Sequence, residues 1–137
     1  MSFLGLDVGS ATIGLALADE VTRTARALET VRRAGERSDL QAIRRVAEDY
    51  CVALAVVGLP LNMDGSEGAS ARRSRAFAGR LEAALQIQVR LFDERLSTFE
   101  AEGRLRARGL SAREQRALVD AEAAAVILQG WLDEEAT

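Results

Sequence analysis

The order of the short apolar segments constrains the fold of this chain more than any other feature. Residues 3–8 and 12–18 are apolar and are separated by only a tight turn, which predicts a hairpin of two antiparallel strands. Residues 25–31 form a third candidate strand. Residues 52–57 are almost entirely apolar, as expected for a central strand covered on both faces, and 88–92 predict a further strand.

Helical patterns separate and follow the later strands. A capping box, Ser38 with Gln41, predicts a helix that runs to about residue 50, and residues 67–85 predict a second helix. A second capping box, Ser97 with Glu100, predicts a third helix that stops at Gly109. A hairpin followed by β-α-β units predicts an α/β fold with a mixed sheet and helices packed on it.

The last helix has an uncertain start. It begins either with a cap at Ser111 or after an Arg-bearing loop that extends to Arg116. Its apolar positions are expected to form one buried stripe, made of Val119, Ala123, Val126, Ile127 and Gly130.

Length and composition predict a single domain over residues 1–137. Apolar residues make up 48% of the chain and charged residues 28%, which is typical of a folded domain rather than a disordered one. No apolar run approaches the roughly 20 residues of a membrane helix, so no membrane association is expected. The single cysteine, Cys51, cannot form a disulfide within the chain, and we expect a cytoplasmic protein.

The absence of two residue types excludes several kinds of chemistry. The chain has no His, which excludes Ser-His and Cys-His nucleophile pairs and His-ligated zinc sites. All 18 basic residues are Arg, which excludes Schiff-base chemistry and the Lys of a phosphate-binding P-loop. What remains is acid–base work by carboxylates, or carboxylates that hold a hard divalent cation.

Three carboxylates stand out by position. Asp7 lies inside the first apolar strand, Glu94 follows the strand at 88–92, and Asp120 precedes an apolar run of the last helix. A carboxylate near a core is costly unless it is paired or bound to a cation. A shared cation is therefore one interpretation, but sequence spacing alone does not bring the three together.

Each of these acids also has a simpler interpretation. Asp7 is a candidate turn residue at a strand end. Glu94 is a candidate surface acid that forms a salt bridge with Arg95. Asp120 is a candidate helix N-terminal acid, favoured by the helix dipole.

Arginines cluster in two segments although the net charge is −3. The net charge argues against a uniformly basic nucleic-acid binder, so the distribution matters more. Solvated helix faces and phosphate contacts both remain open for these clusters. The clusters are Arg72, Arg73, Arg75 and Arg80, and then Arg104, Arg106, Arg108, Arg113 and Arg116.

Several motifs resemble a known family. Asp7-Val8-Gly9 with Ile13-Gly14 resembles the opening hairpin of the ribonuclease-H-like nucleases. Three further motifs resemble one branch of them, the YqgF family, described as Holliday-junction resolvases and as pre-16S ribosomal RNA nucleases. These are VGLPLNMDGSEG at 57–68, DERLST at 93–98, and Asp120 followed by Ala124, Ala125 and the run Ile127-Leu128-Gln129. The resemblance covers essentially the whole chain.

The resemblance implies a ribonuclease-H-like fold, with a five-stranded mixed sheet flanked by helices. It also implies that Asp7, Glu94 and Asp120 converge as catalytic residues and as ligands of Mg²⁺ or Mn²⁺, with two ions expected. The implied activity is metal-dependent endonucleolytic hydrolysis of phosphodiester bonds in structured nucleic acid. The residues expected to bind substrate are Asn62, Arg95, Thr98, Arg113 and Arg116.

Several functions remain as alternatives. The expected substrate is the 5′ end of pre-16S rRNA, and the first alternative is a Holliday junction in DNA, whose symmetric cleavage favours a homodimer. A non-catalytic RNA- or ribosome-binding module is a further alternative. A phosphotransferase of the actin and sugar-kinase superfamily shares the Asp-x-Gly hairpin but needs two such domains. The chain departs from many YqgF proteins in lacking a Lys after the first motif, where it has Ser10, Ala11 and Thr12.

Overall fold

The computed structural model of this chain describes residues 1–95, Gly109 and residues 112–135, and for 112–118 only the backbone. The predicted strands and the first two helices are confirmed to within two residues at each end. Within the described residues, the elements are β1 (Ser2–Val8), β2 (Thr12–Asp19), β3 (Ala25–Arg32), α1 (Glu36–Asp49), β4 (Val52–Leu59), α2 (Ala69–Leu85), β5 (Gln88–Asp93) and α3 (Ala112–Glu135).

The strands form one five-stranded mixed sheet, as the family resemblance implies, and the structure gives their order as β3-β2-β1-β4-β5. β1 pairs antiparallel with β2 and parallel with β4, and β4 pairs parallel with β5. β1 is therefore the central strand. Because β1, β4 and β5 run in the same direction, their C-terminal ends meet at one edge of the sheet.

The two faces of β1 contact different layers. Leu4 and Leu6 are fully buried in a core that includes Ile43 of α1 and Leu81 of α2. Residues of the other parity along a strand point to the opposite face. Phe3 accordingly packs in the second core, against residues of α3, and Asp7 lies on that same face.

Glycines in β1 and β2 allow α3 to lie unusually close to the sheet. A Cβ built on Gly5 would lie 2.7 Å from the carbonyl oxygen of Ala124, and a Cβ on Gly14 would overlap the backbone of Asp120. Ala124 itself is fully buried. This close packing brings the N-terminal half of α3, with Asp120, against the N-terminal end of β2.

Two predicted helix details are wrong. Ser38 does not cap α1: the helix begins at Glu36 after Gly35, without a side-chain cap. Instead the buried Asp39 accepts hydrogen bonds from the Ala34 amide, at 2.9 Å, and from Arg33 Nε, at 3.1 Å. This paired carboxylate therefore ties the first turn of α1 to the segment before it.

The predicted stripe of α3 is also incomplete. Val126 and Gly130 are only partly buried, whereas Ala124, Ala125 and Leu128 are fully buried. The helix lies against β1, β2 and β3, so a face wider than one stripe is covered. The start of α3 at Ala112 favours the cap near Ser111 over the longer loop.

The predicted helix between Ser97 and Gly109 lies outside the described residues. In the part of the chain that the structure describes, no helix combines the length and the apolar character needed to cross a membrane.

Candidate functional site

Asp7 and Glu94 meet at the edge formed by the C-terminal ends of the parallel strands. Asp7 lies near the end of β1 and Glu94 directly follows β5, and the Glu94 amide donates a hydrogen bond to the Leu59 carbonyl at the end of β4, at 3.1 Å. The carboxyl groups of Asp7 and Glu94 are hydrogen-bonded to each other. Both side chains line one cavity of about 370 Å³.

Gly58 makes room for the Glu94 carboxyl group. Its position in β4 points toward α3, and a Cβ there would overlap Glu94 Oε2 and lie 2.6 Å from Ile127 Cδ1. Any side chain at this position would push Glu94 away from Asp7. The glycine is therefore part of the site, although it carries no functional group.

The environment of the pair favours a shared proton. Burial raises the pKa of Glu94 to about 8, and the negative charge of Asp7 and the hydrogen bond to it act in the same direction. Burial also raises the pKa of Asp7; the bond from Glu94 opposes this shift, and the charge of Asp120 adds to it. These shifts favour one proton shared between the two carboxyl groups at neutral pH.

Asp120 lies beside this pair but has its own partner. The Thr12 hydroxyl, at the start of β2, donates a hydrogen bond to Asp120 Oδ2. Asp120 is close enough for its charge to act on Asp7, yet it does not line the cavity that Asp7 and Glu94 share. The alternative of a helix N-terminal acid is wrong, because α3 begins at Ala112 and Asp120 is its ninth residue, beyond the first turn where the helix dipole acts.

The donor chemistry fits a hard divalent cation. All the candidate ligand atoms are oxygens, which Mg²⁺ and Mn²⁺ prefer. Glu94 Oε2 is buried and has no hydrogen-bond partner among the described residues, so the site holds an unsatisfied acceptor. Over the same residues, however, no three carboxylates or thiols are arranged to hold one ion together. In the structure, therefore, two of the three predicted acids, Asp7 and Glu94, contact each other, and the third, Asp120, accepts a hydrogen bond from Thr12.

Two of the predicted substrate-binding residues lie on the surface near this edge. Asn62 is exposed, and its amide braces the loop after β4 by donating to Ser66 Oγ at 3.0 Å. Arg95 forms an ion pair with Asp93 and donates to the Met63 carbonyl at 3.3 Å. The alternative in which Arg95 pairs with Glu94 is wrong, because the guanidinium pairs with Asp93, two residues before it, instead.

The remaining predicted contacts lie outside the described side chains. Thr98 is not among the described residues, and Arg113 and Arg116 lie on α3 where only the backbone is described. Sequence reasoning missed Thr12, Gly14 and Gly58 as parts of the site. Gly14 and Gly58 lie within two motifs that carry the family resemblance, Ile13-Gly14 and the motif at 57–68, but the reason for each glycine is an atom of another element opposite it, which the sequence does not show.

Comparison with protein families gives a match over almost the whole chain. Residues 1–134 match the family model described as RuvX: Holliday junction resolvase. A protein of Anaeromyxobacter dehalogenans strain 2CP-C, provisionally named a pre-16S rRNA nuclease, is 70% identical over 136 residues, which are 99% of each chain. A Myxococcus xanthus protein with the same provisional name is 47% identical over 133 residues, covering 97% of this chain and 88% of the relative.

Solved structures with low sequence identity share the fold. T. thermophilus RuvC, in complex with a Holliday junction substrate, superposes with a TM-score of 0.64 at 19% identity, covering 99% of this chain and 96% of that one. The fowlpox virus resolvase, in complex with substrate Holliday junction DNA, gives a TM-score of 0.60 at 9% identity and covers 100% of both chains. These structures confirm the predicted ribonuclease-H-like fold.

Proposed function

This chain belongs to the RuvX family, and from that premise we propose that it is a divalent-metal-dependent endonuclease that hydrolyses phosphodiester bonds in structured nucleic acid. The observation that carries the proposal is the Asp7–Glu94 pair, with the unsatisfied Glu94 Oε2 at the edge of the sheet. Phosphoryl transfer needs mainly positioning and charge neutralisation, so the absence of His and Lys is no obstacle.

In this mechanism Asp7, Glu94 and Asp120 are both the catalytic residues and the metal ligands. Mg²⁺ or Mn²⁺, with two ions expected, would supply a more acidic water and neutralise the charge that develops on the leaving oxygen. Glu94 must release the proton that it shares with Asp7 before its carboxylate can serve as a ligand. Gly58 keeps space for that carboxylate, and Thr12 orients Asp120.

The substrate we favour is the 5′ end of pre-16S rRNA, because relatives that are 70% and 47% identical carry the name of such a nuclease. This substrate would place the enzyme in the cytoplasm. The description of the matched family supports Holliday-junction resolution as the second candidate, and that reaction would require a homodimer with two matched sites.

Two of the proposed substrate contacts, Asn62 and Arg95, lie near the edge that carries Asp7 and Glu94. Asn62 and Arg95 belong to one patch, since Arg95 reaches the carbonyl of Met63 in the loop that Asn62 braces. Thr98, Arg113 and Arg116 complete the proposed set on the basis of sequence. Arginines would contact the phosphates, which fix the position of the strand without reading its sequence.

A matched panel of substrates tests the proposed function. The purified protein is incubated with four-way DNA junctions and with single-stranded, duplex and precursor-like RNA, in Mn²⁺ and in EDTA. We expect cleavage in Mn²⁺ only, with the product map identifying the substrate class. Asp7→Asn should abolish cleavage, whereas Asp49→Asn, at the exposed end of α1, should retain it. Cleavage in EDTA, or by Asp7→Asn, would contradict the proposal.

A further inference from the structure

The cavity that contains Asp7 and Glu94 has a second wall of opposite charge. It lies past the C-terminal ends of β1 and β4, and its far wall carries Arg33, Arg73 and Arg80. These arginines are not among the substrate contacts proposed above. A cavity of about 370 Å³ that has acids on one side and cations on the other fits a ligand that is both anionic and able to coordinate a metal.

Helical spacing explains why α2 builds this wall. Residues at positions i, i+3, i+7 and i+10 share one face of an α-helix. Ser70, Arg73, Phe77 and Arg80 follow that spacing in α2, and all four line the cavity. Phe77 is buried at its base, with the Arg33 guanidinium 5.4 Å from its ring centroid.

The three arginines differ in how their charge is used. Arg33 donates to Asp39 at 3.1 Å and to the Gly9 carbonyl at 2.9 Å, and Arg80 forms an ion pair with Glu36. Arg73 donates to Ser70 Oγ at 3.1 Å, and within the described residues no carboxylate is at ion-pair distance from it. Among the described residues, Arg73 is therefore the arginine of this wall that no carboxylate pairs with.

The two walls of the cavity do not neutralise each other. Although Asp7, Glu94 and Arg73 line the same cavity, no ion pair joins the acids to the arginines in the described part of the chain. The acids pair with each other instead. The space between them can accept a phosphate group, whose oxygens match the planar donors of a guanidinium.

We infer that Arg73, with Ser70 beside it, forms a phosphate-binding subsite for the backbone of the nucleic-acid strand whose cleaved phosphodiester lies at Asp7 and Glu94. Arg33 and Arg80, held by their own carboxylates, shape the cavity and add to its field. This inference rests on the proposed nuclease function and names the chemistry recognised on the α2 side of the site, which is a phosphodiester rather than a base.

The test compares two neighbouring arginines of one helix. Arg72→Gln removes the same charge as Arg73→Gln, but Arg72 does not line the cavity and donates to the Glu67 carbonyl. Binding of labelled single-stranded RNA and of a four-way DNA junction is measured by fluorescence anisotropy in EDTA, between 50 and 200 mM salt. EDTA separates binding from cleavage.

Arg73→Gln should flatten the slope of log K against log salt by about 0.7–0.9, the value for one phosphate contact. Arg72→Gln should leave the slope near that of the wild type, and Arg73→Lys should restore most of it. In Mn²⁺, Arg73→Gln should raise KM more than it lowers kcat. Both arginines are exposed, so thermal melting should be unchanged.

Two outcomes would overturn the inference, and they are distinguishable. Equal slopes for Arg73→Gln and Arg72→Gln, with a wild type that binds and cleaves, would remove the subsite and leave the proposed function intact. A wild type that binds neither nucleic acid at low salt would remove the proposed function together with the subsite.

Discussion

The carboxyl groups of Asp7 and Glu94 are hydrogen-bonded to each other at the edge where the parallel strands end. Two acids in contact cannot both be ionised at low cost unless a proton or a cation lies between them. The pair therefore does not stabilise the fold. Because of it, the free energy of unfolding depends on pH and on divalent ions.

The first prediction concerns the free energy of unfolding in EDTA. The pKa of Glu94 is about 8 in the folded state and near 4.5 in the unfolded state. The protonated carboxyl therefore contributes fully to the free energy of unfolding below pH 4.5, and this contribution is lost as the pH rises through 8. The wild type should therefore lose stability between pH 6 and pH 9. Glu94→Gln should be more stable than the wild type at pH 9, by at least about 1 kcal/mol, which is less than the free energy that corresponds to a shift of one pKa unit.

Denaturant melts at the two pH values measure this difference. Glu48→Gln is the control, because that side chain is 68% exposed and its ion pair with Arg44 contributes little. Four other acids have a lowered pKa, so they change the free energy of unfolding only in the acid range and not between pH 6 and pH 9. They are Asp19, Asp64, Glu67 and Asp93. A wild type whose stability is unchanged from pH 6 to 9 would contradict the shared proton.

The second prediction concerns Glu94 and Asp120 as proposed metal ligands beside Asp7. Glu94→Gln and Asp120→Asn should each reduce Mn²⁺-dependent cleavage by at least about 100-fold, since replacing even an outer partner of a metal ligand costs 10–100-fold. Circular dichroism should show an intact fold. A fully active Asp120→Asn protein would remove Asp120 from the site and leave a two-carboxylate centre.

The third prediction concerns Thr12 as a positioning residue for Asp120. Thr12→Val keeps the shape of the side chain and removes the hydroxyl that donates to Asp120 Oδ2. Mn²⁺ affinity, measured by isothermal titration calorimetry without substrate, should fall by about 10–100-fold. Thr12→Ser keeps the donor and should restore the affinity; equal affinities for Val and Ser would show that the hydroxyl has no role at the metal.

The fourth prediction concerns Gly14, where β2 passes the backbone of α3. Gly14→Ala would place a Cβ into the backbone at Asp120, which has to shift, at a cost of about 1–3 kcal/mol. Gly79→Ala is the matched control: Gly79 lies exposed in α2 with no atom within 4 Å of the added Cβ, so this change should stabilise the protein by about 0.5–1 kcal/mol. Urea unfolding distinguishes the two.

Much of the fold follows from local pattern. β4 (Val52–Leu59) is an interior strand between β1 and β5, as expected for a continuous apolar run that is covered on both faces, and the period of two in β1 places Leu4 and Leu6 on the face opposite Asp7. The capping box at Ser38 does not form, and the start of α1 is instead tied to the segment before it by the ion pair of Asp39 with Arg33, six residues earlier.

The sequence by itself determined the order of the strands along the chain and the restriction to carboxylate chemistry, and it predicted the three acids. These depend on residue type and on spacing within one element. Only the tertiary structure decided that Glu94 bonds to Asp7, that Thr12 holds Asp120, and that Arg73 faces the same cavity. Such contacts join residues from different elements, and they depend on how α2 and α3 pack on the sheet. The glycines at positions 14 and 58 permit the close approach of α3 and of Glu94, but no local pattern encodes it.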